Sequence, residues 1–151
     1  LVLVLQIALG GWTSTNYAAL ACVDFPTCHG EWLPDMDMRE AFVMWRGLGV
    51  NYEYGVLEHP ARTAIHVTHR AGAVVALLVI GWLVLALLFG RVLLGGALLV
   101  GALLLTQVAL GMGNVLLHLP LGVATAHNGV AALLLVSLVY VNYRLWQRQP
   151  H

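Results

Sequence analysis

Long apolar runs separated by short polar links dominate this chain. Three runs each reach the roughly 20 residues that a helix needs to cross about 30 Å of hydrocarbon; they cover residues 63–89, 92–117 and 121–143. A fourth run, residues 1–12, is only about 18 Å long as a helix, and we interpret it as the outer half of a helix that begins before Leu1. A signal peptide is the alternative, but no basic stretch precedes this run. The pattern predicts an all-α membrane protein with four transmembrane helices, the first truncated, and a long loop over residues 13–62.

Composition agrees with a membrane protein. The chain has 151 residues, of which 60% are hydrophobic and 9% charged, and its mean hydropathy is +0.84. Soluble domains of this size carry far more charge. The formal net charge is zero and lysine is absent, which argues against a nucleic-acid partner.

Arginine positions predict the orientation of the helices. Arg91 lies in the link between the runs over residues 63–89 and 92–117, and Arg144 and Arg148 follow the last run. Because basic residues near helix ends are retained in the cytoplasm, these ends are predicted to be cytoplasmic. The loop over residues 13–62 is then outside, and it contains all seven acidic residues of the chain.

A helix pair occurs twice. The pattern Gln-Xaa-Ala-Leu-Gly begins at Gln6 in the run over residues 1–12 and at Gln107 in the run over residues 92–117. The run that follows each of these along the chain contains a histidine, His69 or His127. We interpret this as two helix-pair repeats related by an axis along the membrane normal, which brings the two histidines face to face. Recurrence of small residues in packed membrane helices is the simpler alternative.

The two histidines lie at the same predicted depth in the membrane. An imidazole there is costly without a partner, and a haem iron with two axial histidines would satisfy both. Glycines near them, such as Gly72 and Gly129, allow close approach of another helix or of a porphyrin face. The two glutamines either orient the imidazoles or bond to a neighbouring helix.

Four runs of residues resemble the C-terminal half of bacterial heme A synthases of the proteobacterial type: QIALGGWTSTNYAALAC, DFPTCHGEW, IHVTHRAGA and LPLGVATAHNGVAALLL. The resemblance implies an oxidoreductase with eight transmembrane helices in two related halves, which oxidises the C8 methyl of haem O to the formyl group of haem A. It implies that residues 1–151 are the half that holds haem b, with His69 and His127 matching the axial ligands. The family's catalytic carboxylate belongs to the other half and has no counterpart here, so we expect this half to act as an electron relay and to be incomplete for catalysis alone.

The same resemblance implies partners and a location. The expected partners are the N-terminal half of the same protein, haem O as substrate and the lipid bilayer. Haem O synthase, assembly factors of terminal oxidases and a second copy of the chain are further candidates. The expected location is the bacterial inner membrane, with residues 13–62 in the periplasm.

Three polar residues near the proposed ligands have open roles. His66 precedes His69 by three residues and so shares its helix face; it either contacts a haem propionate, ligates transiently or faces the aqueous boundary. Arg70 is expected to pair with a haem propionate or with Glu58. His118 lies in a short outer link, where we expect it to face solvent.

Cys22 and Cys28 lie in the outer loop. An oxidising compartment favours a disulfide between them. A redox-active pair that gates haem handling and a metal site that also uses His29 are the alternatives.

The rest of the outer loop is rich in aromatic residues. These fit an interfacial belt; they are Trp12, Trp32, Trp45, Tyr52 and Tyr54. Residues 39–46 are predicted to form a short helix on the membrane surface.

Two other protein classes use similar features. A small b-type cytochrome subunit would also have paired histidines, but would need no second half. A transporter or assembly factor without haem would use the histidines as substrate or ion ligands. The reading frame upstream of Leu1 discriminates the first of these from the synthase, because only the synthase requires four further helices there.

Overall fold

Five helices make up the regular structure of the residues that the structure describes. The computed structural model describes residues 1–45, 47, 51 and 55–148. Its helices are α1 (Val2–Thr15), α2 (Met38–Ala41), α3 (His59–Phe89), α4 (Leu94–Leu116) and α5 (Leu121–Trp146). No β-strand occurs in these residues, where pairing is limited to an isolated bridge between Cys28 and Glu31.

Helices α3, α4 and α5 are each long and apolar enough to cross a membrane, and α1 is a shorter apolar helix. The prediction of three complete spans is therefore confirmed. The interpretation of α1 as part of a fourth span, and the division of the helices into two repeats, stay predictions.

The helix bounds differ from the predicted ones mainly at α3, which begins at His59 rather than at residue 63. Pro60 lies in its first turn, where a missing backbone N–H leaves no hydrogen bond unmade. The polar residues around Arg62 interrupt the apolar pattern, so the pattern did not indicate this first turn. Helix α5 likewise continues to Trp146, beyond the predicted end at residue 143.

Two tight links join the spanning helices. The backbone N–H of Val92 donates to the carbonyl of Leu87 (2.9 Å) after α3, and that of Leu119 donates to the carbonyl of Asn114 (2.7 Å) after α4. Such bonds close the last turn of a helix, and the short links make successive helices antiparallel. Helices α3 and α5 therefore run in the same direction, and both begin on the side of the long loop.

The helices pack as a series of neighbours. Helix α1 contacts α3, α3 contacts α4 and α4 contacts α5, while α1 and α5 meet over a smaller area. The buried core between them contains Ile80, Val100 and Leu134. Large apolar side chains also cover the outside, where Trp82 is 75% exposed and Leu105 is 68% exposed. Apolar surface of this extent suits contact with a membrane.

The outer loop packs on the beginning of α3. Ala18, Ala41 and Ile65 belong to one buried cluster there, with Trp12 against it. The indole N–H of Trp12 also donates to the carbonyl of Ala41 (2.9 Å), which ties α1 to α2. The loop thus lies against the same end of α3 that carries the histidines.

The predicted surface helix is shorter than expected. Only residues 38–41 are helical, and the Asp37 side chain caps them by accepting from the backbone N–H of Glu40 (2.9 Å). The prediction of a helix through Trp45 is wrong, and Arg46 lies outside the described residues. Trp32 and Trp45 are exposed, as an interfacial belt requires, while Tyr52 and Tyr54 also lie outside the described residues.

Candidate functional site

Each of the two predicted ligand histidines contacts a glutamine from the preceding apolar helix. The Gln6 amide nitrogen lies 3.1 Å from Nδ1 of His69 and donates to the backbone carbonyl of the same residue, also at 3.1 Å. The Gln107 amide nitrogen lies 3.2 Å from Nε2 of His127. The same pair of residue types is thus joined between α1 and α3 and between α4 and α5.

A glycine lies against each imidazole. A Cβ atom at Gly10 would be 3.3 Å from Cε1 of His69, and one at Gly111 would be 3.2 Å from Cε1 of His127. Both distances are tighter than ordinary carbon contacts, so a side chain at either position would press on the ring. Gly10 and Gly111 follow Gln6 and Gln107 by one helical turn, and each glutamine–glycine pair holds one ring between them.

Each imidazole uses only one of its two ring nitrogens in its contact with the glutamine. Nδ1 of His127 is buried and has no hydrogen-bond partner in the described part of the chain. The hydrogen bonds that the described residues make to His69 involve Nδ1 and not Nε2. A buried ring nitrogen without a partner fits a ligand to metal better than a finished packing arrangement.

No group of three or more His, Cys, Asp or Glu side chains that could hold a bare metal ion is found among the residues described. Two histidines suffice for a haem, because the porphyrin supplies the other four ligands of the iron. The donor set of this site therefore fits a haem iron better than a free ion.

Cys22 and Cys28 form a disulfide. We call residues 22–31 the disulfide loop. In this oxidised state neither sulfur is a thiolate ligand, so the alternative metal site with His29 is not formed. The alternative that this disulfide is redox-active and exchanges with other thiols stays a prediction.

Asp24 organises the disulfide loop from inside. Its carboxylate accepts from the Thr27 hydroxyl and from the backbone N–H groups of His29 (2.6 Å) and Gly30 (3.0 Å). These hydrogen bonds, that of Thr27 above all, hold the pKa of the Asp24 carboxyl well below its usual range. The carboxylate remains ionised under all ordinary conditions and keeps the turn closed.

Arg70 attaches the disulfide loop to α3. Its guanidinium donates to the carbonyls of Thr27 (2.8 Å), Cys22 (3.2 Å) and Asp24 (2.8 Å), and lies over the Phe25 ring at 5.6 Å. The alternative pairing with Glu58 is not formed, and the terminal nitrogens of the guanidinium bond to these three carbonyls instead. Its contact with a haem propionate stays a prediction.

His66 makes a second attachment. The backbone N–H of Cys22 donates to Nδ1 of His66 (3.3 Å), and the side chain is only 4% exposed. The alternative in which His66 faces the aqueous boundary is therefore wrong. Its neighbour His69 points instead to Gln6 of α1, so the two histidines on this face have different partners.

A pair of histidines that sequence reasoning missed lies next to the loop. Nε2 of His59 is 3.2 Å from Nε2 of His29, whose ring also contacts the carbonyl of Ala21 (2.8 Å). The contact joins the disulfide loop to the first residue of α3. His118, as expected, is exposed in the link before α5.

Comparison with known proteins gives two matches. The family model COX15-CtaA, described as cytochrome oxidase assembly protein, matches residues 1–139. The chain is also 47% identical over 147 residues to the heme A synthase of Shewanella oneidensis, a match that covers 97% of this chain and 44% of the relative. The chain thus spans less than half the length of this curated relative. No solved structure matches the chain.

Proposed function

This chain belongs to the COX15-CtaA family of cytochrome oxidase assembly proteins, and on that premise we propose that it is the haem-binding C-terminal half of a heme A synthase. The relative from Shewanella oneidensis supports this, because the match covers nearly all of this chain and lies in the C-terminal part of that protein. The complete protein then oxidises haem O to haem A, with the reacting haem in the N-terminal half.

The proposed ligands of a haem b iron are His69 and His127. The observation that carries this proposal is that the two rings have the same kinds of neighbour: each contacts a glutamine amide and a glycine of the preceding apolar helix. Random packing gives no reason for the same three residue types to meet at two places in the bundle. A spare nitrogen on each ring is the chemical requirement for a bis-histidine site.

The chain's own residues have separate tasks in this proposal. Gln6 and Gln107 orient the rings, and Gly10 and Gly111 keep the space beside them free of side chains. His69 and His127 would hold the haem iron between them, and a haem held by two histidines would supply electron transfer and not oxygen activation. The site is therefore an electron relay, and oxygen chemistry belongs to the other half.

Arg70 and the disulfide loop cover the outer end of the site. Arg70 follows His69 in sequence and its positive charge is partly buried, which suits the negative charge of a haem propionate. We propose that the loop lies in the periplasm of a bacterial inner-membrane protein, because Arg91, Arg144 and Arg148 mark the opposite ends of the helices.

Spectra of the full-length protein test this function. The protein is purified from membranes in detergent, and reduced-minus-oxidised and pyridine haemochrome spectra are recorded for the wild type, His69→Ala and His127→Ala. We expect a low-spin b-type signal that is lost in both variants. His118→Ala is the matched control and should keep the signal, because His118 is exposed in a link. A low-spin signal that survives in either ligand variant would overturn the assignment.

A further inference from the structure

Gly72 of α3 lies directly under the side chain of Gln6. A Cβ atom at Gly72 would overlap Oε1 of Gln6 and would be 3.0 Å from Cδ1 of Leu9. No other glycine of the described helices places a Cβ so close to a polar side-chain atom. Glycine inside a helix is destabilising relative to alanine, so its presence here calls for a local reason.

The Gln6 amide cannot move away from Gly72 without losing its bonds. Its nitrogen donates to the backbone carbonyl of His69 and contacts Nδ1 of the same residue, both at 3.1 Å. The backbone contact fixes which end of the amide faces His69, since two oxygens would repel each other there. The amide oxygen consequently points at Gly72, where it is buried without a hydrogen-bond partner among the described residues.

We propose that Gly72 and Gln6 together are positioning residues for the His69 imidazole. Gly72 leaves the space in which the amide lies, and the amide fixes the ring through Nδ1, so that Nε2 is the nitrogen presented to the iron. Gly72 therefore acts on the ligand through Gln6 and not by touching haem or His69. This inference rests on the proposed function, because it takes His69 as an iron ligand.

The second helix pair lacks this device. Gln107 contacts Nε2 of His127 and not Nδ1, and the residue three positions after the histidine, which corresponds to Gly72, is Val130 and not a glycine. The two proposed ligands are thus held through different ring nitrogens, and only in the first pair does a glycine of the histidine's own helix leave space for the glutamine amide.

A double-mutant cycle in the full-length protein tests the inference. The variants are Gly72→Ala, Gln6→Ala and the combination of both, and the measured quantities are the rate of haem transfer to excess apomyoglobin and the low-spin EPR g values. Removing an outer partner of a metal ligand typically weakens the metal site about 10- to 100-fold. We expect each single variant to release haem about tenfold faster and to change the g values, which follow the orientation of the imidazole planes.

The combined variant decides between the two explanations of Gly72. In the Gln6→Ala background the new methyl group meets no amide, so Gly72→Ala should add nothing further. If it has the same effect there as in the wild type, Gly72 acts by packing against Leu9 and the inference is wrong. Unchanged haem release and g values in Gln6→Ala would also overturn it. The combined variant lacks the Gln6 amide that a methyl group at Gly72 would overlap. It can therefore be compared with Gln6→Ala even if Gly72→Ala alone does not fold.

Gly81→Ala is the matched control on α3. No atom lies within 4 Å of its Cβ position, and both measurements should equal those of the wild type. Failure of the proposed function has a different signature: the wild type itself would lack a low-spin haem that depends on His69. That result would remove the basis of both proposals before any cycle is measured.

Discussion

Arg70 and Asp24 are joined through the backbone and not as an ion pair. Nη2 of Arg70 donates to the backbone carbonyl of Asp24 at 2.8 Å, whereas the carboxylate of Asp24 accepts from the amides of His29 and Gly30. The carboxylate shapes the disulfide loop and the guanidinium fastens the shaped loop to α3. The positive charge of Arg70 is therefore held beside His69 by neutral carbonyls, which leaves it available to an anionic group of a ligand.

Arg70→Lys should loosen the disulfide loop. The two terminal nitrogens of the guanidinium reach three carbonyls at once, and a single ammonium group cannot span them. Hydrogen bonds to charged groups contribute about 1.5–3 kcal/mol each, so we expect a phosphine to reduce the Cys22–Cys28 disulfide roughly tenfold faster or more. Thiol labelling with time measures the rate. Arg91→Lys, at the opposite end of α3, is the control, and an equal rate in the wild type and Arg70→Lys would contradict the prediction.

Acid should open the same loop only at low pH. Because the folded pKa of Asp24 lies below its ordinary value of 3.8, the ionised carboxylate stabilises the loop fully above that value. This stabilisation is lost as the pH falls from there through the folded pKa. Phosphine reduction of the disulfide, corrected for the pH dependence measured on a small disulfide, should therefore show no loop opening from pH 7 to about pH 5.

Asp24→Asn is the comparison for this pH profile. The amide keeps the size of the side chain but lacks the charge and one acceptor oxygen, so its loop should be reduced faster at neutral pH and show no acid step. An acid step of equal size in wild type and Asp24→Asn would assign the titration to another group.

The sequence predicted the helices better than the contacts between them. Long apolar runs have few alternatives in a membrane, and the three spans appeared with their ends shifted by a few residues. The three carbonyl partners of Arg70 were not predicted, because the fold of the disulfide loop decides which oxygens face the guanidinium. Sequence indicates only that a partly buried charge needs partners. The contact of His29 with His59 was missed for the same reason, since 30 residues separate them.

The glutamine and histidine contacts were within reach of sequence reasoning. The repeated Gln-Xaa-Ala-Leu-Gly pattern puts a glutamine and a glycine one turn apart on the same helix face. An imidazole between the two can bond to the amide and pack closely against the glycine, which has no side chain. The choice between Nδ1 of His69 and Nε2 of His127 was not predictable, because it depends on the rotation of each ring against its neighbours.

The two glycines beside the imidazoles should be sensitive to a single methyl group. Gly10→Ala and Gly111→Ala bring a Cβ to within 3.3 Å and 3.2 Å of a ring carbon, so the rings must shift. Haem content per protein, measured as the pyridine haemochrome, should fall by about half or more, since small misplacements of a metal ligand weaken its site. Gly11→Ala, with open space, and Gly113→Ala, 3.5 Å from Val123, should retain full haem. Equal haem content in all four variants would show that the rings tolerate the contact.

Two neighbouring leucines of α5 have different surroundings, one in the core between the helices and the other on the apolar outer surface. Leu134 is 0% exposed and Leu133 is 57% exposed, although both are leucines of the same apolar run and the sequence does not distinguish them. Leu134→Ala leaves a cavity between helices, and we expect a loss of about 2–5 kcal/mol in the free energy of unfolding. Leu133→Ala removes contacts with lipid or detergent only, and should change stability by less than about 0.5 kcal/mol. Unfolding of the purified protein in mixed micelles measures both. A large loss in Leu133→Ala would mean that this face of α5 is covered in the full-length protein, so the same pair of variants reports on which helix faces meet the rest of that protein.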